Sequence, residues 1–235
     1  TTEIYTLSLH DALPISIGGQ TLLLDCGTHP KKEGYDALPA FALLRRSPDA
    51  LLISHSHVDH CGAMPYLHRQ FPEVKTYATI PTVRTMDRML HNSVAVMETI
   101  AKERGIAEYP LYEHADVTQA MRRVFGFEMG QPFTLGDHSD IEILFQHAGH
   151  VLGSASILLR CDGHTIFYTG DICDTNQELM DGYAPLPEDV KVDTLFIEST
   201  HGATEREGAG SYKAEADALG QCTAKVLNSG GAVLI

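Results

Sequence analysis

The sequence has no apolar run of the length that a membrane span requires. Hydrophobic residues make up 43% of its 235 residues, yet no stretch approaches the roughly 20 consecutive apolar residues needed to cross a bilayer. The five cysteines form no Cys-x-x-Cys pair, and this odd number favours reduced thiols over a disulfide framework. We therefore expect one large soluble domain, located in the cytoplasm, or in the nucleus if the source is eukaryotic.

Basic residues are scarce. Lysine and arginine total 17 against 31 aspartates and glutamates, which gives a formal net charge of −14. Such an acidic chain repels phosphates overall, and no basic stripe with interleaved aromatic residues is present. Carboxylates that bind cations would account for part of the excess, because the cations are not counted in the formal charge.

The most informative segment is His55-Ser56-His57-Val58-Asp59-His60. Three imidazoles and a carboxylate within six residues are costly to crowd together unless a cation orders them, and these groups suit Zn²⁺ or a similar divalent ion. The apolar residues 50–53 predict a buried strand before the motif, and residues 64–67 predict the start of a helix after it. The motif then lies on a strand-to-helix loop, where α/β proteins commonly place their chemistry. The alternative is a surface loop that is rich in histidine by chance.

Three further residues fit a site with two metal ions. His150 stands between glycine-containing turns in residues 146–155, and Asp171 follows the apolar strand predicted at 165–168. A carboxylate at such a strand end can bridge two cations, because each of its oxygens can take one. Asp25 also follows an apolar strand and is better placed as a hydrogen-bond acceptor that orients a ligand histidine.

Punctuating residues predict the main elements around these motifs. Pro81 and Gly105 bound a predicted helix that ends near Arg104, and Asp162-Gly163 predicts a hairpin turn. A strand at 194–197 leads to Glu198, and a helix is predicted at 214–227, before a last strand at the end of the chain. The histidines away from the motifs are expected to be exposed: His68, His114, His138 and His164.

The order of these motifs resembles the metallo-β-lactamase superfamily. Five phrases narrow the resemblance to the β-CASP nucleases, the group with the cleavage and polyadenylation endonuclease, the Integrator endonuclease and related bacterial and archaeal ribonucleases: residues 24–30, 54–67, 148–155, 168–171 and 197–200. The resemblance implies an α/β fold, the four-layer αββα sandwich, incomplete and with the β-CASP domain cut off near its start. The implied domains are the metallo-β-lactamase domain at 17–201 and the beginning of the β-CASP domain at 202–235.

The resemblance also assigns roles to residues. It implies that His55, His57 and His150 hold one Zn²⁺, that Asp59 and His60 hold a second, and that Asp171 bridges them. Asp59, Asp171 and Glu198 are the implied catalytic residues, with Asp59 orienting the nucleophile and Glu198 pairing with a histidine that helps to protonate the leaving oxygen. That histidine and a further ligand of the second ion lie beyond residue 235 in the family, so the second site is expected to be incomplete. His201 stands where the family usually has tyrosine.

The implied function is zinc-dependent hydrolysis of RNA phosphodiester bonds by a metal-activated hydroxide, internally or from the 5′ end. The expected partners are RNA, the β-CASP region that this chain lacks, and either a second copy or a processing complex, with no membrane. Two alternatives stay open: a hydrolase of small esters, thioesters or lactams, and an inactive fragment or scaffold. Glu198 and the insertion of roughly ninety residues between His60 and His150 weigh against the small-molecule hydrolase.

The first sixteen residues match no part of the family. They resemble the translation of sequencing-adapter read-through, so we predict a non-native leader at residues 1–16 and expect it to lie outside the fold.

Overall fold

The computed structural model describes residues 3–7, 12–44, 46–135, 140–200 and 212–234. The chain forms two compact units, Thr1–Ser199 and Thr200–Ile235. Of the second unit the described part holds one helix, α5 (Tyr212–Asn228), which agrees with the helix predicted there. Residues 231–234 form no strand, unlike the prediction for this segment. His201 and His138 lie outside the described residues.

The first unit contains two sheets. The five-stranded sheet has the order β2-β3-β4-β5-β6, with β2 and β3 antiparallel and the remaining neighbours parallel. The six-stranded sheet has the order β1-β11-β10-β9-β8-β7. The strands in chain order are β1 (Glu3–Leu7), β2 (Leu13–Ile17), β3 (Gln20–Leu24), β4 (Ala50–Leu52), β5 (Lys75–Thr79), β6 (Val124–Phe127), β7 (Phe133–Thr134), β8 (Glu142–His147), β9 (Ala155–Cys161), β10 (His164–Tyr168) and β11 (Thr194–Glu198).

Alternation of side chains along the strands builds two cores. Leu22 and Leu24 of β3 pack with Ile157 and Leu159 of β9, so one core fills the space between the sheets. Leu23, between them, faces the other way, as expected when successive side chains point to opposite faces. Burial on both faces explains why β3 and β4 are continuous apolar runs rather than alternating ones.

Helices cover the second face of the five-stranded sheet. They are α1 (Val58–Cys61), α2 (Met64–Gln70), α3 (Ile80–Arg104) and α4 (His114–Met121). Buried residues of α2, α3 and α4 join Leu23 and Leu51 in the second core. The predicted α/β class and the two packed sheets are confirmed. Of the four layers of the predicted αββα sandwich, the described residues of this unit form three: helix, sheet and sheet.

The local signals in the sequence explain where α3 and the β9–β10 hairpin begin and end. Thr79 caps α3 by accepting a hydrogen bond from Thr82 N, and Gly105 ends the helix with φ of 70°. Asp162 and Gly163 both have positive φ, 50° and 76°, which is the conformation of a type I′ turn. Both predictions are confirmed.

The structure corrects the boundary of the predicted leader. Residues 3–7 form strand β1, which pairs with β11. Residues 13–16 belong to strand β2, which pairs with β3 from Leu13 to Ile17. Ile15 is buried in the core between the sheets. The expectation that all of residues 1–16 lie outside the fold is therefore wrong, while their non-native origin stays a prediction.

His68 was expected to be exposed and is instead buried. It lies on α2, and its Nε2 is 2.8 Å from Thr76 Oγ1 on β5. Burial lowers the pKa of His68 to about 4, helped by the positive charge of Arg123. The residue is therefore a neutral hydrogen-bonding group that fastens α2 to the five-stranded sheet.

This burial makes folding sensitive to acid. Between pH 6.5 and about 4 the unfolded chain binds a proton at His68 that the folded chain does not, so stability is lost as the pH falls through this window. His68→Gln keeps a hydrogen-bonding group but does not titrate. We expect the wild type to lose up to about 3 kcal/mol more than this variant across the window, since one pKa unit corresponds to about 1.4 kcal/mol. Urea unfolding at a series of pH values measures the difference, and parallel pH profiles would contradict the account.

Candidate metal centre

The ends of β3 and β4 and the short helix α1 form the base of the site. The loop after β3 packs on α1 through hydrogen bonds from Cys26 N to His60 O and from Thr28 N to Val58 O, at 2.7 and 3.0 Å. Gly27 lies between these two bonds, and a Cβ there would come within 1.6 Å of Asp59 O. Only glycine permits this approach, so the Asp-Cys-Gly phrase positions the histidine motif directly.

Four side chains form one cluster. His55 Nε2 and His150 Nε2 lie 3.0 and 3.2 Å from His57 Nδ1. Asp171 Oδ2 is 3.9 Å from His55 Nε2 and 3.5 Å from His150 Nε2. One nitrogen or oxygen from each of the four lies within 4.8 Å of all the others. Such a group of donors could hold a metal ion.

His60 and Asp59 lie on the other side of Asp171. His60 Nε2 is 3.3 Å from Asp171 Oδ1 and 4.0 Å from Asp59 Oδ2. His60 Nε2 and Asp171 Oδ1 are both buried, and neither has a hydrogen-bond partner. Buried polar atoms without partners are costly, and an ion bound to both atoms would remove that cost, so these residues fit a second metal ion.

Asp25 orients two of the histidines through hydrogen bonds. Its buried carboxylate accepts hydrogen bonds from Ser54 N, Ser54 Oγ, His60 Nδ1 and Tyr168 Oη, at 2.6 to 2.8 Å. Ser54 Oγ in turn lies 3.0 Å from His55 Nδ1. Because Ser54 donates its proton to Asp25, it accepts the Nδ1 proton of His55. In the neutral form of each ring, His55 and His60 therefore carry the proton on Nδ1 and direct Nε2, the nitrogen that could bind a metal ion, to the cluster.

The backbone at Asp25 is unusual for a residue with a side chain. Its φ is 58°, in the left-handed region that aspartate enters more readily than most residues. The strain is compensated by the hydrogen bonds to its carboxylate. The site thus depends on a strained anchor residue that holds the buried histidines in place.

The electrostatics of the cluster follow from burial and neighbouring charge. Burial lowers the pKa of His55 far below its usual value, and the three neighbouring imidazoles lower it further. Burial also lowers the pKa of His60, but the carboxylates of Asp25 and Asp171 outweigh it and raise this pKa to about 10. Burial alone would raise the pKa of Asp171, yet the nearby histidines hold it below the usual value. The carboxylates around His60 therefore favour positive charge there, and the histidines around Asp171 favour its negative charge.

The loop between β8 and β9 carries His150. Its amide donates to Ser154 Oγ at 3.1 Å, and Gln177 Nε2 donates to Gly149 O at 2.8 Å. The hydroxyls of Thr79 and Thr82 both donate to Gly153 O, at 2.7 and 2.9 Å. The start of α3 and the loop after β10 thus fix the position of the β8–β9 loop. His150 therefore lies next to His57, which precedes it by 93 residues in the sequence.

Glu198 lies at the end of β11, beside the segment that follows Asp171. Its Oε1 accepts a hydrogen bond from Ile172 N at 3.1 Å, and its own amide lies 3.2 Å from Thr169 Oγ1. Its negative charge also acts weakly on His150. The predicted site residues thus come together at one edge of the fold, with Glu198 beside the cluster rather than in it.

The sequence reasoning missed Ser54 and Tyr168. Both residues are buried and donate to Asp25, so they link strands β4 and β10 of different sheets. Ser54 adjoins the histidine motif and Tyr168 precedes the Thr-Gly-Asp phrase, but neither has a spacing that points to hydrogen bonding. Ser54 and Tyr168 come together only because the two sheets pack against each other.

Comparison with known proteins places the chain in a family. The model of the metallo-beta-lactamase superfamily domain matches residues 15–200. The chain is 33% identical to the endoribonuclease YSH1 of Gibberella zeae over 94% of its own length and 26% of that protein. It is 29% identical to the ribonuclease TTHA0252 of Thermus thermophilus, over 93% of this chain and 46% of that protein. It is 30% identical to the cleavage and polyadenylation specificity factor subunit 3-II of Arabidopsis thaliana, over 94% of this chain and 35% of that protein.

The chain thus spans between a quarter and a half of the length of these relatives. Their names agree with the β-CASP nuclease branch that the motifs predict. The family match covers both sheets of the first unit except β1 and the first two residues of β2, and it includes every residue of the histidine and aspartate cluster. The chain belongs to the metallo-β-lactamase superfamily.

Proposed function

We propose that this chain binds two divalent metal ions. The chemistry of the ligands favours zinc. His55, His57 and His150 would hold one ion, and Asp59 and His60 the other. Asp171 would bridge them, one oxygen to each. The observation that carries this proposal is the position of Asp171, whose Oδ2 faces the three-histidine group and whose Oδ1 faces His60. Imidazole and carboxylate are the donors that zinc prefers in catalytic sites.

We further propose that the site hydrolyses phosphodiester bonds in RNA. When bound, a pair of metal ions acidifies a water molecule and neutralises charge on the phosphoryl oxygens. Asp59, which is partly exposed at the cluster, would accept a hydrogen bond from the attacking water and orient it. The substrate class is supported by the names of the relatives, two ribonucleases and a cleavage and polyadenylation factor subunit.

Glu198 has a place in this proposal that does not require contact with an ion. By accepting from Ile172 N it holds the segment next to Asp171. In keeping with the family resemblance, its carboxylate would pair with the histidine expected beyond residue 235, which would help to protonate the leaving oxygen. Binding to a processing complex and a nuclear or cytoplasmic location stay predictions. None of the described helices is long and apolar enough to span a bilayer.

The bridging role of Asp171 predicts the result of a near-isosteric substitution. Asp171→Asn removes the negative charge and one ligand oxygen, so we expect the zinc content to fall from two ions to one or none. Any RNA cleavage should fall by more than the ~10–100-fold that loss of an outer hydrogen-bond partner causes. Metal analysis after gel filtration and cleavage of a labelled single-stranded RNA measure both. Glu73→Gln is the control, because that carboxylate is exposed and pairs with Arg123; two ions retained in Asp171→Asn would contradict the assignment.

The hydroxyl of Ser54 predicts a subtler change. Ser54→Ala breaks the link from Asp25 to His55, so His55 is no longer held with its proton on Nδ1. We expect zinc affinity to fall about 10- to 100-fold, measured by competition with a chromogenic chelator, while circular dichroism stays unchanged. Ser156→Ala is a matched control: Ser156 is also buried and donates to Thr169 O at 2.8 Å, and among the described residues it has no hydrogen bond to a histidine. Equal affinities in the two variants would show that the link has no effect.

A further inference from the structure

A groove beside the metal centre has no role in the proposed chemistry. It has a volume of about 470 Å³ and lies between the loop of residues 28–33 and the second half of α3. We call it the α3 groove. Its volume falls within the range of small-molecule sites, roughly 300–1,000 Å³. Val58, which stands between the proposed ligands His57 and Asp59, forms part of its wall.

One wall of the α3 groove is apolar. Ala37, Val58, Met97 and Ile100 line it together with the ring of Tyr109. Val96, also in the lining, is 47% exposed, so the apolar wall is open to solvent at this residue, whereas Ala37 and Met97 are buried. An open apolar wall with an aromatic ring suits the flat face of a planar, weakly polar group such as a nucleobase.

The rim of the α3 groove carries positive charge in an acidic chain. Lys31, Lys32 and Arg104 line it, against the single carboxylate of Glu33. Arg104 and Glu33 form an ion pair with each other. Lys31 and Lys32 are exposed, and within the described residues neither ammonium group takes part in an ion pair. Two unpaired cations next to an apolar wall are complementary to an anion that carries a planar ring.

We propose that the α3 groove binds an unpaired nucleotide of the RNA strand whose phosphodiester bond lies at the metal centre, with the base against the apolar wall and adjoining phosphates at Lys31 and Lys32. The strand must be single at this point, because a paired base has no free face to offer. This inference rests on the proposed function and extends it, since it assigns a path along the protein surface for the substrate strand.

The charge on the rim is tested by the salt dependence of binding. The probe is a fluorescent, phosphorothioate-linked single-stranded RNA, which resists hydrolysis, titrated with the zinc-loaded chain at several salt concentrations. The Lys31→Gln/Lys32→Gln variant should make the slope of log affinity against log salt shallower by about 1.4, since each phosphate contact on a single strand contributes about 0.7. Lys75→Gln/Lys191→Gln removes the same charge from exposed lysines outside the groove, and it should leave the slope unchanged.

The apolar wall is tested by adjacent residues of α3. Val96 and Ala95 are both exposed on the same helix turn, but only Val96 lines the groove. Val96→Asp should weaken binding of the same RNA about tenfold relative to Ala95→Asp, which corresponds to about 1.4 kcal/mol. Both variants place a carboxylate at a solvent-exposed helical position, so a loss of folding would affect them alike and would be visible by circular dichroism.

The outcomes separate this inference from the proposed function. If the wild type binds and cleaves RNA while both groove variants match their controls, the α3 groove is not the nucleotide site and the proposed function stands. If the zinc-loaded wild type neither binds nor cleaves single-stranded RNA, the proposed function fails and this inference fails with it. Weaker binding in both groove variants, with both controls unchanged, supports the assignment.

Discussion

Several imidazoles and carboxylates are buried at one place, and burying such polar groups costs desolvation energy. The rest of the structure depends on how this cost is compensated. Asp25 compensates part of it, because its carboxylate accepts four hydrogen bonds and fixes the protons of His60 and, through Ser54, of His55. Two other buried atoms of the cluster, His60 Nε2 and Asp171 Oδ1, have no hydrogen-bond partner. A cation bound to the unprotonated nitrogen and to the carboxylate oxygen would stabilise both atoms, as proposed above.

The two-sheet architecture makes this convergence possible. Asp25 and the histidine motif follow β3 and β4 of the five-stranded sheet, whereas Asp171 and Glu198 belong to the ends of β10 and β11 of the six-stranded sheet. The core between the sheets holds these ends in register. The hydrogen bond from Tyr168 Oη to Asp25 Oδ2, at 2.6 Å, joins the two sheets directly beneath the site. The geometry of the candidate site therefore rests on packing between the sheets as much as on the histidine motif itself.

Local signals in the sequence were sufficient to predict much of this. The strand before His55, the helix from Pro81 to Arg104 and the turn at Asp162-Gly163 follow from apolar runs and from punctuating residues. The burial of His68 and the hydrogen bonds of Ser54 and Tyr168 could not be predicted, because each depends on which strand or helix lies opposite in the folded chain. Strand β2 was missed for another reason: its short apolar alternation stands in a segment whose composition matched nothing else in the family.

The central claim is that Asp171 lies between two ions rather than beside one. Anomalous diffraction at the zinc edge, from crystals of the zinc-loaded chain, measures this without reference to activity. The account predicts two peaks, one between Asp171 and the group of His55, His57 and His150, and one between Asp171 and His60. A single peak, or a second peak away from the carboxylate of Asp171, would contradict it.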